Sequence, residues 1–351
     1  MSSETTWELT RTLCELVGPS GYEKPVTAWL AEAWRPYVDE ITISGIGNLI
    51  AHVQGNGPRL LLCAHADELC FMVRYIQEDG FLRLAMNAAP DAHFTVGFSY
   101  IGLPARVLRD DGAILPGIFA SSVGHVVTGQ QREAMEKRWD DIFLDIGARS
   151  AAEAKAWGVH IGSKVTFEAA TRRIGHYVVG KALDDRGGLV ILTELLQQLE
   201  RSKLRYDLYL AASVQEELGV IGASSIGREV KPDLAIELDI GLAGDVPTTS
   251  LAHLPVCLGG GPILVYRDAL AIYDQELTAT LSRVAEENGI PTQPALFYHY
   301  GSDGLAFLQA GIRTALLAFP ARYTHTPFEM VSLEDMQQTT RLLASFVTRT
   351  Q

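Results

Sequence analysis

The chain is poor in cysteine: Cys14, Cys63, Cys70 and Cys257 are its only four, and no two of them form a C-x-x-C pair. That spacing excludes a zinc knuckle and a dithiol redox motif and leaves the thiols as reduced packing residues. Basic residues are also scarce. With 29 Lys and Arg against 42 Asp and Glu, the formal net charge is −13. The clustered cations that a phosphate backbone requires are missing, so nucleic acid is excluded as a partner. No apolar run is long enough to span a bilayer, and the N-terminal Met-Ser-Ser-Glu-Thr-Thr-Trp-Glu lacks the basic segment and apolar stretch of a secretory leader. A cytoplasmic protein without membrane contact is the expectation. Around Ser302-Asp303 there is no Gly-x-Ser-x-Gly elbow, which sets aside a serine hydrolase; Ser302 reads instead as a helix cap.

A hydrophobic share of 47% with 20% charged residues is an ordinary globular balance. At 351 residues the chain exceeds the length at which one core usually stops growing, so two domains are expected. Apolar spacing predicts helices over 7–17 and 26–34, then strands over 41–53 and 59–65, the second nearly all apolar and so buried on both faces. From residue 68 the texture changes to short β-type runs punctuated by Asp79-Gly80 and Asp111-Gly112, which are hairpin signals. The α/β rhythm then resumes, with helices over 188–199, 222–227, 274–288 and 333–347, a short one from Ser302, and strands over 206–214, 233–239 and 313–319. The expectation is an α/β catalytic domain with a mixed sheet, made of residues 1–67 and 176–351, interrupted by a β-rich, barrel-like insert over 68–175.

Five pieces carry candidate chemistry. His65-x-Asp67 ends the buried strand; at period two the side chains share a face, so the carboxylate can hold one imidazole nitrogen while the other binds metal. Asp184-Asp185 precedes a helix, which either carboxylate could simply cap. Glu216-Glu217 follows the 206–214 strand, and adjacent carboxylates at a strand exit face different ways, so one can bind metal while its neighbour moves protons. Glu237-Leu-Asp239 puts charge into an otherwise core-like strand, where an unpaired carboxylate costs roughly several kcal/mol and wants a cation. His325 lies in the loop after 313–319. Each alone has a bland reading as a surface turn, a cap or a solvated side chain. Together they lie at strand exits or a helix entrance, and open α/β sheets gather their ligand sites at the carboxyl ends of strands. Asp184, Glu217 and Asp239 with neutral His65 and His325 supply three negative charges. Two divalent ions bring four positive charges, and a bridging hydroxide cancels the remainder. Mixed imidazole and carboxylate donors suit Zn²⁺, Co²⁺ or Mn²⁺ better than Ca²⁺.

The motifs in order, Pro19-Ser-Gly-Tyr-Glu, Gly47-Asn-Leu-Ile, His65-Ala-Asp-Glu-Leu, Asp141-Ile-Phe-Leu-Asp-Ile-Gly-Ala, Gly158-Val-His-Ile-Gly, Lys181-Ala-Leu-Asp-Asp-Arg, Gln215-Glu-Glu-Leu-Gly, Gly301-Ser-Asp and His325-Thr-Pro, span nearly the whole chain. This chain resembles the glutamyl and tetrahedral aminopeptidase family of two-metal peptidases, metallopeptidase family 42. The resemblance implies that Asp184 bridges two metals, that His65 and Asp239 complete one site and Glu217 and His325 the other, and that Asp67 orients His65. It implies Glu216 as general base for a metal-bridging hydroxide that attacks the peptide carbonyl. It also implies that the insert serves dimerisation and that dimers assemble into a dodecamer acting on peptide substrates. Cys70 and Ala66 stand where the family usually has Gly and commonly Met; neither is a proposed ligand. Two other classes compete: a two-carboxylate glycosidase using Glu216 and Glu217, and a noncatalytic assembly protein held together by metal. Adjacent residues are poorly placed to flank a glycosidic bond at roughly 5 to 10 Å, and a protein that only assembles has no use for Glu216. The histidines His52, His93, His125, His160, His176, His253 and His299 have no partner motif and read as structural or exposed.

Overall fold

A computed structural model gives the structure of the chain and describes residues 2–87, 100–121 and 142–349. His93, His125 and Asp141 fall outside the described residues. The chain divides into two compact units, Met1–Glu68 with Ala170–Gln351 and, between them in sequence, Leu69–Ala169.

In the first unit the helices start where the sequence offers caps. The Ser2 side chain accepts from the Thr5 amide at the head of Ser3–Glu15, and Pro25 sits in the first turn of Lys24–Trp34, where its missing N–H is not needed. The segment expected as one strand over 41–53 is a hairpin, Glu40–Ile43 paired antiparallel with Leu49–Val53. Gly47, at φ +106°, turns the chain between them, a conformation that glycine alone adopts without strain.

Four parallel strands form the centre of the sheet, in the order Asp207–Ser213, Arg59–His65, Leu234–Leu242 and Arg313–Arg322. Leu49–Val53 lies antiparallel beside the first of them, and Glu329–Val331, Tyr177–Gly180 and Arg172–Ile174 continue beyond the last. Ile263–Arg267, a strand not foreseen from the sequence, also pairs with Arg313–Arg322 and carries Gln293–Leu296. The apolar runs read as continuous because both faces are covered. Leu60, Leu62 and Ala64 pack with Leu189, Leu192 and Leu343 from the helices Leu183–Gln198 and Leu333–Thr348. Leu61 and Cys63 pack with Ile226 and Phe307 from Ile221–Val230 and Gly304–Gln309. Because the four central strands run the same way, their carboxyl ends lie along one edge of the sheet.

The helix Leu183–Gln198 presses on that sheet through Gly187 and Gly188. A Cβ at Gly187 would stand 2.3 Å from the Phe319 ring, and one at Gly188 2.9 Å from the Ala64 Cβ of the sheet. Gly187→Ala is therefore expected to destabilise the fold by about 1–3 kcal/mol through overpacking, read as a drop in thermal midpoint. An unaltered midpoint would mean the buried Phe319 ring moves aside freely.

In the second unit, six of the described strands close a barrel in the order Cys70–Ile76, Leu82–Asn87, Phe143–Asp145, Ile114–Ala120, Pro104–Leu108 and Lys164–Phe167. Gly80 and Gly112 take positive φ, 95° and 80°, as the Asp-Gly hairpin signals require. Phe71 packs edge-on against Phe119 and Phe167 inside, with centroids 5.1 and 5.4 Å apart. A mixed α/β sheet with an inserted barrel is the expected fold class.

Candidate metal centre

His65 is the last residue of its strand, Gln215-Glu216-Glu217 begin two residues past Ser213, the end of the neighbouring strand, and Asp239 lies near the end of Leu234–Leu242. His325 follows Arg313–Arg322 by one short turn. The common strand direction thus brings residues from four distant stretches to one place. Asp184 and Asp185 enter from the helix start, where both depart from helical φ/ψ. Asp185 accepts from the Gly188 amide at 3.0 Å, as an N-cap does, and its other oxygen accepts from the His65 amide at 3.2 Å. Capping is done by Asp185, which leaves Asp184 free.

The Asp184 carboxylate spreads between two imidazoles. Its Oδ1 is 3.0 Å from His65 Nε2 and its Oδ2 is 3.4 Å from His325 Nε2. His325 Nε2 is in turn 3.6 Å from Glu217 Oε2. Donor atoms of His65, Asp184 and Asp239 all lie within 4.8 Å of one another, and so do those of Asp184, Glu217 and His325. These are two ligand groups with one shared member, drawn from the five residues expected as ligands.

Protein groups alone do not balance this cluster. Burial raises the Glu217 carboxyl to about 7, against the pull of His325 and with Asp184 adding to the rise. Burial and then Asp184 push Asp239 well above the usual carboxylate range. Burial lifts Glu216 in the same direction, opposed by His65 and assisted by Asp303 and Glu217. Burial also raises Asp184, but His325 and His65 outweigh it and hold the carboxyl low. Burial lowers His325, yet Glu217 and Asp184 outweigh that and hold it at about 10. Carboxylates crowded out of water repel one another until cations join them, and two imidazoles with three carboxylates are donors suited to divalent transition ions. The residues fit divalent metal binding.

Around these donors, buried carboxylates hold the backbone. Asp67 accepts from the amides of Glu216 and Glu217 at 3.0 and 3.3 Å and from the Ser20 hydroxyl at 2.7 Å. Its Oδ1 stands 3.5 Å from His65 Nδ1, longer than a hydrogen bond, so the firmer contacts of Asp67 are to the Glu216-Glu217 segment. Glu23 accepts from the amide of Gln215 at 3.1 Å, and Glu329 from those of Asp184 and His325 at 3.1 and 2.9 Å. Gln215 and His325 both have positive φ, 56° and 61°, a region that costs a residue with a Cβ about 1–3 kcal/mol unless its surroundings enforce it. Glu23 falls within the Pro19-Ser-Gly-Tyr-Glu motif, whereas nothing in the sequence pattern marked Glu329. Behind the donors, Glu237 shares a buried group with Cys63 and Asp303; burial pushes the Glu237 carboxyl well up and lifts that of Asp303 to about 7.

The remaining histidines lie elsewhere. His52 pairs with Asp207 at 2.7 Å and His160 with Asp110 at 2.9 Å, while His176, His253 and His299 are exposed. Ser302 Oγ accepts from the Gly304 amide at 3.3 Å and lies 3.0 Å from the Tyr273 hydroxyl.

The sequence profile of the M42 glutamyl aminopeptidase family matches residues 47–342. A TET aminopeptidase from a marine sediment Thaumarchaeota archaeon superposes with a TM-score of 0.92 at 31% identity, covering 99% of this chain and 97% of that one. The TET1 peptidase of Pyrococcus horikoshii, described as assembling into a tetrahedron or a large octahedral shell, superposes at 0.87 with 28% identity over 97% and 99% of the two chains. The lysyl aminopeptidase of Pyrococcus furiosus is 29% identical over 96% of this chain and 95% of its own length.

Proposed function

The chain belongs to the M42 glutamyl aminopeptidase family and is a metal-dependent aminopeptidase, and from that premise we propose that it releases N-terminal residues from peptides at a two-cation centre. His65 and Asp239 would hold one ion and Glu217 and His325 the other, with Asp184 available to both. The observation that carries this reading is the Asp184 carboxylate, whose two oxygens face two different imidazoles at 3.0 and 3.4 Å. A pair of divalent cations, Zn²⁺, Co²⁺ or Mn²⁺, when bound, supplies Lewis-acid polarisation of the scissile carbonyl and water acidified towards neutral pH.

The rest is the work of the chain itself. Glu216 takes a proton from the attacking water and returns it to the leaving amine, a role suited to a carboxyl whose affinity for protons is raised by burial. Asp67 fixes where that carboxylate and Glu217 begin by accepting from both their amides. A glycosidase reading is not favoured, since Glu217 belongs with Asp184 and His325 and is not free to act as a second catalytic carboxyl.

Residues Leu69–Ala169 are read as a dimerisation domain, and assembly of dimers into a dodecamer is part of the same proposal, supported by the shells described for the Pyrococcus horikoshii relative. Among the described residues no helix is long and apolar enough to cross a membrane, and cytoplasmic residence completes the reading.

The test is chelation followed by add-back, with aminoacyl-anilides and a polysaccharide assayed in parallel. Chelation is expected to lower anilide cleavage at least about 100-fold, in line with the loss of a polarising ion, and Zn²⁺, Co²⁺ or Mn²⁺ should restore it. Sugar release without amide cleavage would overturn the proposal.

A further inference from the structure

Glu329 belongs to neither ligand group, is 3% exposed, and is the first residue of the strand Glu329–Val331. In that strand it is registered opposite Gly180 of Tyr177–Gly180, which leads into the Asp184 segment. Its two carboxylate oxygens are used separately. Oε2 accepts from the Asp184 amide at 3.1 Å and Oε1 from the His325 amide at 2.9 Å. One carboxylate therefore ties together the backbones of the shared ligand and of a ligand specific to one ion. Strand pairing brings the two segments side by side, and the Glu329 carboxylate adds a direct tie between the backbones of the ligands themselves. His325 needs the tie most, since its φ of 61° lies in the left-handed region, which a histidine holds only when its surroundings enforce it.

We propose that Glu329 is a positioning residue that sets the spacing between Asp184 and His325 and thereby the affinity of the second cation. The proposal rests on the two-cation reading of the site. Partners that orient metal ligands without touching the metal change affinity or activity by about 10–100-fold when removed. Glutamine at this position keeps the size but offers one acceptor oxygen, and its amide nitrogen meets a backbone N–H donor at the other. One of the two ties is then lost.

The experiment is a metal titration of the chelated protein, wild type against Glu329→Gln, with ion content, kcat, KM and the melting temperature of the metal-free chain read together. The expected result is two ions per wild-type chain. In Glu329→Gln, the ion assigned to Glu217 and His325 should bind about 10–100-fold less tightly, turnover should recover at high metal, and KM should change little. Binding of both ions with wild-type affinity overturns the proposal. A variant whose lost turnover does not return at saturating metal overturns it as well, because Glu329 would then act on more than ion affinity. If Glu329→Gln does not fold, Glu329→Asp decides: its carboxylate, one methylene shorter, cannot reach both amides, so weakened second-ion binding supports the proposal and unchanged binding overturns it. Fewer than two ions on the wild type would instead defeat the two-cation reading, separately from the role of Glu329.

Discussion

Glu216→Gln is expected to retain two divalent cations per chain while kcat falls by about 10²–10⁴, the usual contribution of a positioned general base. The substitution keeps the size of the side chain and leaves the Glu216 amide on Asp67, at 3.0 Å, so the segment stays in place. What disappears is the capacity to accept a proton. The adjacent Glu217 does not substitute, because it points towards Asp184 and His325. The pairing of measurements matters: metal content by elemental analysis establishes that the site is intact, and kcat then reports proton transfer alone. Near wild-type peptidase rates in a fully loaded variant would remove Glu216 from that role.

The second large effect is expected from the shared ligand. Asp184→Asn removes the charge and replaces one of the two oxygens that face His65 and His325, so both ion positions are weakened together. At about 10–100-fold for a partner outside the donor set, loss of a direct and shared donor should exceed that range for each ion. His325→Ala is the contrast. It leaves His65, Asp184 and Asp239 as a complete group, so one ion should remain and content should fall from two towards one. Equal loss from the two variants would contradict a bridging arrangement, and unchanged content in His325→Ala would take that residue out of the donor set.

Much of this site could be read from sequence, and the reason is directional. Charged residues such as Asp239, placed where an apolar strand ends, stand out against hydrophobic neighbours, and parallel strands carry such ends to one edge. His65, Glu217 and Asp239 were visible in this way. The choice between Asp184 and Asp185 was not, because either could have capped the helix; the structure gives the cap to Asp185 through Gly188. Glu23 and Glu329 act on backbone amides of Gln215, Asp184 and His325, and an amide carries no residue identity for a pattern to detect. The same holds for the hairpin over 40–53, whose turn depends on the positive φ of Gly47, and for Ile263–Arg267, whose place beside Arg313–Arg322 is a tertiary choice that short apolar runs do not announce.

The position of Arg59–His65 between Asp207–Ser213 and Leu234–Leu242 sets a timetable for synthesis. Both lateral neighbours of this greasy strand emerge from the ribosome long after it, on the order of ten seconds later at typical elongation rates. Until then Leu60, Leu61 and Leu62, fully covered in the finished molecule, have no flanking partners to satisfy them. A nascent chain of this protein is thus a natural client for holdase chaperones, and truncated products ending before residue 207 should be sticky rather than merely inactive.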